Sequence, residues 1–484
     1  MPNQSLSIQK PGLSLGTLLL FLGLLVFSAL FWGLATAFVG GIFSSILFVI
    51  LAAATLVFSN HRLGIYLLAI FMPIADTSLN AHSMFGITGA NPYNLILVGT
   101  VFAFTISYAW NRRALISLPK WFWLYALALV VAGLIGSRHV GEIPSLFAQE
   151  GIGFDNAAGY LRNILGKPLL VMLFTYIVAQ AVYHGMSPLR LVVLVLIGFW
   201  LFALAIIAYL ALSGFSLSFL ASTHARTVLD VFALHADQMG VAFNLAIAVT
   251  LFTWASLPAG KLKLFFLLTL GVLTAVMLLT FSRGAFLGYA VIFSYFLVTR
   301  RRIRTLISGI AVVGIALLLL PAAFFHRATM GFGSDNLSTV SAGRINDIWM
   351  PLLPEVWHHP LFGNGLSSIL WSHAMRTGAI LPVSLPHNAY LGVAMDFGLI
   401  GGALIAAFYI FLWRRFGQMA KEETDSVMKG LFQGGRAAVL LMAVEGIAND
   451  KFMPEDHQAM LWIMAGILFG RTALLARGHK TPAS

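Results

Sequence analysis

Apolar runs of about 20 residues recur from one end of the chain to the other, and each can cross roughly 30 Å of hydrocarbon. With 59% hydrophobic and only 10% charged residues, the composition excludes a soluble domain. The sequence therefore predicts an all-α, polytopic integral membrane protein with about 12–14 transmembrane helices. The candidate spans lie near residues 14–34, 36–58, 63–76, 93–110, 120–137, 168–184, 189–212, 229–256, 262–281, 284–299, 306–323, 389–412, 431–448 and 458–473.

Basic residues give these spans a predicted orientation. If the spans alternate in direction, most of the 29 lysines and arginines fall on one side, which the positive-inside rule identifies as the cytoplasm. Both termini are then cytoplasmic, and the net charge of +12 reports topology rather than binding of nucleic acid. The nine basic residues on the other side are Arg138, Arg162, Lys167, Arg226, Arg283, Arg327, Arg344, Arg376 and Lys451.

The chain reads as a single polytopic membrane domain, 1–484, without a soluble appendage or a cleavable signal-peptide pattern. Its longest outer loop, 324–388, is rich in apolar and aromatic residues, so we expect it to fold onto the membrane surface. Within that loop, the pattern over 343–358 predicts a helix that Pro360, Gly363 and Gly365 end. The sequence has no cysteine, which excludes disulfides and thiol chemistry.

The turn Ser282-Arg283-Gly284 joins two predicted spans, so Arg283 has to lie at or near the outer interface. An arginine at such a depth is costly and is usually paired or functional. Its guanidinium binds phosphate oxygens in a bidentate fashion, which favours an anionic ligand. The alternative is an arginine whose charged end reaches the lipid headgroups.

Arg226 shortly precedes another span, whose first turns carry His235, Asp237, Gln238 and Asn244. Polar residues repeated at the outer end of a span indicate a water-filled cavity rather than lipid. Arg226 is therefore a second candidate for anion binding. The alternative is an interfacial anchor.

The long outer loop contributes two further candidates. Arg344 stands at the start of the predicted helix, where the helix dipole disfavours a cation, and this favours a binding role. His358 and His359 are adjacent, but no spaced ligand set accompanies them, so we predict no metal site. His387, at the outer end of the next span, is a candidate general base, with a purely structural histidine as the alternative.

Three short sequence blocks contain several of these candidates. Together, in their order along the chain, they resemble the O-antigen ligase and polymerase superfamily of bacterial polysaccharide assembly. The resemblance covers about 220–402, includes Arg226, and departs from the family at Asp396, where glutamate is common, and over 235–238, where Asp-Pro-Asn is common. The three blocks consist of Ser282, Arg283 and Gly284; Gly343, Arg344, His359, Pro360, Leu361, Gly363 and Gly365; and His387, Asn388, Tyr390, Gly398, Leu399 and Gly401.

The resemblance implies a GT-C-like glycosyltransferase that uses a polyprenyl (undecaprenyl)-diphosphate-linked oligosaccharide on the periplasmic face of the bacterial inner membrane. It implies a metal-independent, inverting reaction without a cofactor, in which arginines stabilise the diphosphate leaving group. As the catalytic residues, Arg226 and Arg283 would hold the diphosphate, and His387 would orient or deprotonate the acceptor hydroxyl. Arg344, His359, Asn388 and Tyr390 would join Arg226 and Arg283 in binding the diphosphate or the glycan.

The acceptor would distinguish a polymerase, which extends a second lipid-linked repeat unit, from a ligase to lipid A–core and from a protein O-oligosaccharyltransferase. We favour an O-antigen or exopolysaccharide polymerase, because the extra spans and the lack of an outer soluble domain suit two lipid-linked substrates. The alternative of another class is a flippase or transporter, against which the sequence shows no repeated halves. Other polysaccharide-assembly membrane proteins are possible partners, and nucleic acid is not. Four other outward residues read more simply as solvated loop residues than as acceptor contacts: His373, Arg376, Asp450 and His457.

Overall fold

The structure is a computed structural model. It describes residues 60–80, 91–111, 114–145, 156–216, 224–300, 343–447 and 451–478, and single residues or pairs between these ranges. In the described part the regular secondary structure is helical apart from a two-residue antiparallel pair, β1 (Ser83–Met84) and β2 (Ile87–Thr88). The fold-class prediction is confirmed.

In the described ranges eight helices precede residue 280, and several have 3-10 or π turns at their ends. They are α1 (His61–Phe71), α2 (Pro92–Trp110), α3 (Lys120–Gly136), α4 (Ala157–Tyr160), α5 (Lys167–Tyr183), α6 (Pro188–Ser213), α7 (Ala236–Trp254) and α8 (Lys261–Leu279). The 3-10 turns are Met72–Ile74, Ser137–Glu142 and His224–Phe232, and a π turn, Leu161–Gly166, joins α4 to α5.

Six helices follow. They are α9 (Arg283–Arg300), α10 (Met350–His358), α11 (His373–Arg376), α12 (Ala389–Glu422), α13 (Ser426–Glu445) and α14 (Ala459–Gly478). A π turn, Ile345–Trp349, leads into α10, and 3-10 turns, Ser368–Trp371 and Asp456–Gln458, precede α11 and α14.

Within the described residues, nine helical segments are long and apolar enough to cross a membrane, and His61–Ile74 and Arg283–Thr299 are shorter apolar helices. These eleven segments correspond one for one to the spans that the sequence predicts in the described ranges. The other three predicted spans, near 14–34, 36–58 and 306–323, lie outside the described residues except for residue 322. The predicted helix over 343–358 is also present and ends at His358.

The helices alternate in direction, which brings distant parts of the chain together at each end. At one end Lys167 contacts Asp76 at 3.1 Å, and the Ser78 amide donates to the Phe232 carbonyl just before α7. At the opposite end Arg62 donates to the His184 carbonyl. We refer to the end with Asp76, Lys167 and the start of α7 as the site end.

Helix α7 forms the centre of the bundle and packs against α8, α9 and α13. It is buried on all sides, as expected for a helix that is apolar around its whole circumference. A Cβ on Gly434 of α13 would lie 2.6 Å from the Val249 Cα, so this glycine allows the two backbones to approach closely. The few polar groups of α7 therefore have to find partners within the protein.

Helix α12 has a kink at Gly398, whose φ of 60° and ψ of −165° are not helical. The loop after α10 replaces the backbone hydrogen bonds that the kink removes. The Leu399 and Ile400 amides donate to the Pro360 and Leu361 carbonyls, and the Asn364 amide donates to the Met395 carbonyl at 2.7 Å. Within a membrane such freed groups need a protein partner, so the loop and the kink depend on each other.

Candidate active site

The N-terminus of α7 lies at the site end and carries a carboxylate, Asp237, in its first turn. His235 is the N-cap: its ring nitrogen accepts from the Asp237 amide, and the Gln238 side chain accepts from the His235 amide. This reciprocal capping fixes the start of α7. The Asp237 carboxylate is therefore held in one place, near the positive end of the helix dipole.

Asp237 joins three segments that are far apart in the sequence. The Ser282 hydroxyl donates to Asp237 Oδ1 at 2.7 Å, and the Arg344 guanidinium donates to Asp237 Oδ2 at 3.3 Å. The Asp237 and Arg344 side chains are only 11% and 14% exposed, so solvent screens this pair much less than an exposed one. We refer to Asp237, Ser282 and Arg344 as the Asp237 cluster.

The Ser282-Arg283-Gly284 turn has the position that the sequence predicts. Phe281 has a left-handed φ of 47°, and the Ser282 hydroxyl accepts from the Ala285 amide, so Arg283 becomes the first residue of α9. Arg283 is half-buried. A guanidinium at a helix N-terminus is a favourable arrangement for an anion such as a phosphate.

Arg226 lies in the 3-10 turn His224–Phe232 that leads into α7 at the same end of the bundle. The structure describes its backbone but not its side chain, so its role in binding the diphosphate stays a prediction.

His387 forms a tight turn before α12, with a left-handed φ of 51°, and is half-buried. The turn is tied to the segment of Arg344, because the Trp349 indole donates to the Pro386 carbonyl at 2.9 Å. It is also tied to the end of α13, because the Ala389 amide donates to the Gly446 carbonyl at 2.8 Å. These contacts place His387 between the outer loop and the bundle.

A second buried polar contact connects the end of α13 to α9. Asn244, two turns after Asp237 on α7, donates both to the Ala285 carbonyl and to Glu445 Oε1, each at 2.8 Å. Asn244 and Glu445 are almost completely buried. The turns that carry Arg283 and His387 are thus connected through Ala285, Asn244, Glu445 and the adjacent Gly446.

The sequence reasoning placed Asp237 and Asn244 in a water-filled cavity, whereas both are buried with protein partners, and it assigned no role to Glu445. The available signal was the spacing of Asp237 and Asn244, since residues seven apart share one face of a helix. That face of α7 points towards α9, where Asp237 contacts Ser282 and Asn244 contacts Ala285. Polar residues at this spacing inside an apolar span therefore indicate a neighbouring helix that supplies their partners.

Two predicted glycan-binding residues also have structural partners. Asn388 Oδ1 accepts from the Tyr390 and Leu391 amides and so caps α12. The Tyr390 hydroxyl donates to the Ala443 carbonyl at 2.6 Å, which attaches the start of α12 to α13. Their contact with a glycan stays a prediction.

His359 ends α10 and is exposed, and it lines a cleft of about 510 Å³ with Arg138, His139 and His358. The lining of this cleft includes no member of the Asp237 cluster. Across the described ranges, no group of three or more histidine, aspartate or glutamate side chains is arranged to hold a metal ion.

The four residues that the sequence predicts as solvated outer-loop positions do not all have the same outcome. Arg376 is 48% exposed and contacts Glu142 at 3.1 Å, and His373 is exposed. His457 corrects the expectation, because it is only 2% exposed and its ring contacts Glu455 at 3.3 Å. Packing of the 3-10 turn Asp456–Gln458 against α7 and α14 buries it. Asp450 lies outside the described residues.

The geometry thus collects arginines, a histidine and a helix N-terminus at one end of a membrane bundle. Residues 264–406 match the family model described as O-antigen ligase. This stretch contains Arg283, Arg344 and His387 and confirms the resemblance that the sequence motifs predict. Arg226 and Asp237 precede the matched region. No curated protein matches the chain significantly. The family supports a role in surface polysaccharide assembly of the ligase or polymerase type.

Proposed function

We propose that this protein is a glycosyltransferase that uses a polyprenyl-diphosphate-linked glycan at the periplasmic face of the bacterial inner membrane. The observation that carries the proposal is the Asp237 cluster, which holds Arg344 against the turn of Arg283 at one end of the bundle. The orientation is supported by Arg62 and Arg190 near the opposite end, where Arg190 donates to the Tyr66 hydroxyl.

In the proposed reaction an acceptor hydroxyl attacks the anomeric carbon of the donor sugar. The new glycosidic bond forms as the bond between that carbon and the phosphate oxygen breaks, and the polyprenyl diphosphate leaves with both electrons. Attack from the opposite side inverts the configuration. Arg283, Arg226 and the N-terminus of α9 stabilise the negative charge on the leaving group without a metal ion, and Arg344 supports them. His387 takes the proton of the acceptor hydroxyl.

For the acceptor we propose a second lipid-linked repeat unit, which makes the protein an O-antigen or exopolysaccharide polymerase. A ligase to lipid A–core and a protein O-oligosaccharyltransferase would use the same donor chemistry with another acceptor. The test therefore has to identify the acceptor as well as measure the activity.

The test is complementation of a deletion strain with Arg283→Ala and His387→Ala, with protein levels measured in the membrane fraction. Arg376→Ala is the matched control, because Arg376 is an exposed arginine paired with Glu142 on the same side. We expect loss of long glycan and accumulation of lipid-linked repeat units with the first two variants, and normal glycan with the control.

The gel pattern also reports the acceptor. Single repeats on the lipid core indicate failed polymerisation, bare core indicates failed ligation, and an unmodified target protein indicates failed protein glycosylation. Normal glycan from Arg283→Ala and His387→Ala would contradict the proposed site and favour a transporter or an assembly partner.

A further inference from the structure

An apolar groove of about 330 Å³ lies between α12 and α13. Its volume is within the usual range of roughly 300–1,000 Å³ for ligand pockets. The walls are aliphatic and aromatic, and among the residues that the structure describes no charged side chain lines them. The central wall residues are Ile405, Ala406 and Tyr409 of α12 and Val439, Leu440 and Ala443 of α13.

The groove extends over most of the membrane thickness. Its lining runs from Tyr390 at the site end to Trp413 on the same helix, and these 23 residues at about 1.5 Å each span roughly 35 Å, close to the thickness of the hydrocarbon layer. At the far end the Arg436 guanidinium lies over the Trp413 ring, 4.2 Å from its centroid. This length fits an extended hydrocarbon chain better than a compact ligand.

The two tyrosine hydroxyls along the groove are used by the protein itself. The Tyr390 hydroxyl donates to the Ala443 carbonyl, and the Tyr409 hydroxyl donates to the Phe452 carbonyl at 3.2 Å. The rings of Tyr390 and Phe452 pack edge to face at the mouth, with centroids 5.0 Å apart. The groove therefore offers carbon surface, and hydrocarbon is the chemistry that it can bind.

The groove is open sideways, where the surrounding lipid would be. Tyr390 and Ile410 are about half exposed, and Ala406 and Ala443 are also exposed. A lipid can thus enter laterally from the bilayer without opening the bundle.

At the site end, the groove is continuous with the turn of His387. Val393 and Phe452 line the groove and also line an adjoining pocket, together with Pro386 and Lys451. Tyr390 follows His387 by three residues. A chain in the groove would therefore place its polar head beside the proposed general base.

We propose that this groove holds the single isoprenoid chain of the lipid-linked donor. The inference rests on the proposed function and adds the binding site of the lipid. In a polyprenyl diphosphate glycan the hydrocarbon begins one diphosphate away from the reacting carbon, so its groove has to open at the reaction site. A diacyl phospholipid carries two chains, whereas this groove is one channel between two helices.

The experiment measures dissociation constants of the purified full-length protein for undecaprenyl diphosphate and geranyl diphosphate, which carry the same diphosphate on a long and a short isoprenoid chain. We expect the unmodified protein to bind the long chain at least about ten-fold more tightly, since burial of two further methylene groups already accounts for that factor. Ala406→Trp fills the groove and should remove this preference. Ala443→Leu narrows the groove from the opposite wall and should reduce it.

The matched control is Ala403→Trp, an equally exposed alanine on the same helix that does not line the groove. It should keep the preference for the long chain, and thermal melting should show that all variants are folded. An unchanged preference in both Ala406→Trp and Ala443→Leu would overturn the inference, as would equal displacement of undecaprenyl diphosphate by phosphatidylglycerol.

The two proposals fail separately. A groove-dependent preference in a protein that transfers no glycan would leave the lipid site intact and remove the proposed function. Glycan transfer by a protein whose lipid binding ignores the groove would leave the function and remove this inference.

Discussion

Two carboxylates at the site end, the buried Asp237 and the half-buried Asp396, organise their surroundings in different ways. Asp237 binds side chains: the Ser282 hydroxyl and the Arg344 guanidinium. Asp396 accepts from the Ser367 and Ser368 amides at 3.0 and 2.9 Å and from the Ser368 hydroxyl at 2.7 Å. We refer to Asp396, Ser367 and Ser368 as the Asp396 cluster.

The difference separates two kinds of motif within one family match. The glycines around Pro360–Gly365 meet the kink of α12 through backbone contacts, and the Asp396 cluster holds the following loop, so this region builds the scaffold. The Asp237 cluster instead orients a cation near Arg283, so we assign the chemistry to that region. Changes in the first region should lower stability, and changes in the second should lower the rate of transfer.

The largest effect on folding is expected for Gly398→Ala. A Cβ there would lie 2.5 Å from the Gly363 amide nitrogen and 2.6 Å from the Leu361 carbonyl carbon, in a backbone conformation that only glycine adopts readily. We expect a loss of about 3 kcal/mol or more in the free energy of unfolding, read as loss of folded protein from the membrane.

Gly271→Ala is the control for this substitution. Gly271 lies within α8 with no atom near its hypothetical Cβ, so alanine should be neutral or stabilising there. A Gly398→Ala protein as stable as the unmodified one would refute the structural account of the kink.

Asp237→Asn tests the other region. The amide keeps the shape of the side chain but removes the charge that holds Arg344, so we expect the transfer rate to fall about ten-fold, equivalent to about 1.4 kcal/mol. Glu142→Gln is the matched control, because it neutralises the exposed pair with Arg376, and exposed pairs contribute little. If Asp237→Asn and Glu142→Gln transferred glycan at equal rates, the functional distinction between the Asp237 cluster and the Asp396 cluster would be lost.

Asp396→Asn should have the opposite effect, with lower stability and little change in the transfer rate. An amide nitrogen would face one of the serine amides that Asp396 now accepts, leaving a donor without an acceptor, which costs about 1–3 kcal/mol of stability. The transfer rate per folded molecule should stay within about two-fold of the unmodified protein. A large loss of rate at unchanged melting temperature would move Asp396 into the catalytic region.

The smallest effect is expected at Asn388. Removing its cap of α12 with Asn388→Ala should cost about 1 kcal/mol of stability, and Asn388→Ser should restore most of it, since serine also caps helices. Should Asn388→Ser melt normally yet transfer glycan poorly, the predicted glycan contact of Asn388 would gain support over a purely structural role.

The sequence alone predicts much of this fold, because hydrocarbon thickness fixes the length of a span. Arg283, Arg344 and His387 are also identifiable, since charged groups beside apolar spans are conspicuous. The partners of these residues are harder to find. Nothing local indicates that Asp237 contacts Arg344, 107 positions away, or that Asn244 contacts Glu445. Such pairs depend on which helices pack together.

The groove beside α12 is equally hard to predict, because it also depends on which helices pack together. Its wall residues read as ordinary lipid-facing positions in the sequence, and only the packing of α12 against α13 makes them a channel. His457 is an error in the other direction, because the sequence predicts an exposed loop residue. It is buried by neighbours that the sequence does not identify.

The most direct test of the central claim is the rate of glycan transfer from the lipid-linked donor by purified Arg283→Gln and Arg344→Gln proteins, with Arg376→Gln as the control. If these arginines act at the site where the diphosphate leaves, the first two rates should fall on the order of 100-fold while melting temperatures and the control rate remain close to the unmodified protein. Rates within a few-fold of the unmodified protein for both variants would contradict the assignment of the chemistry to this end of the bundle.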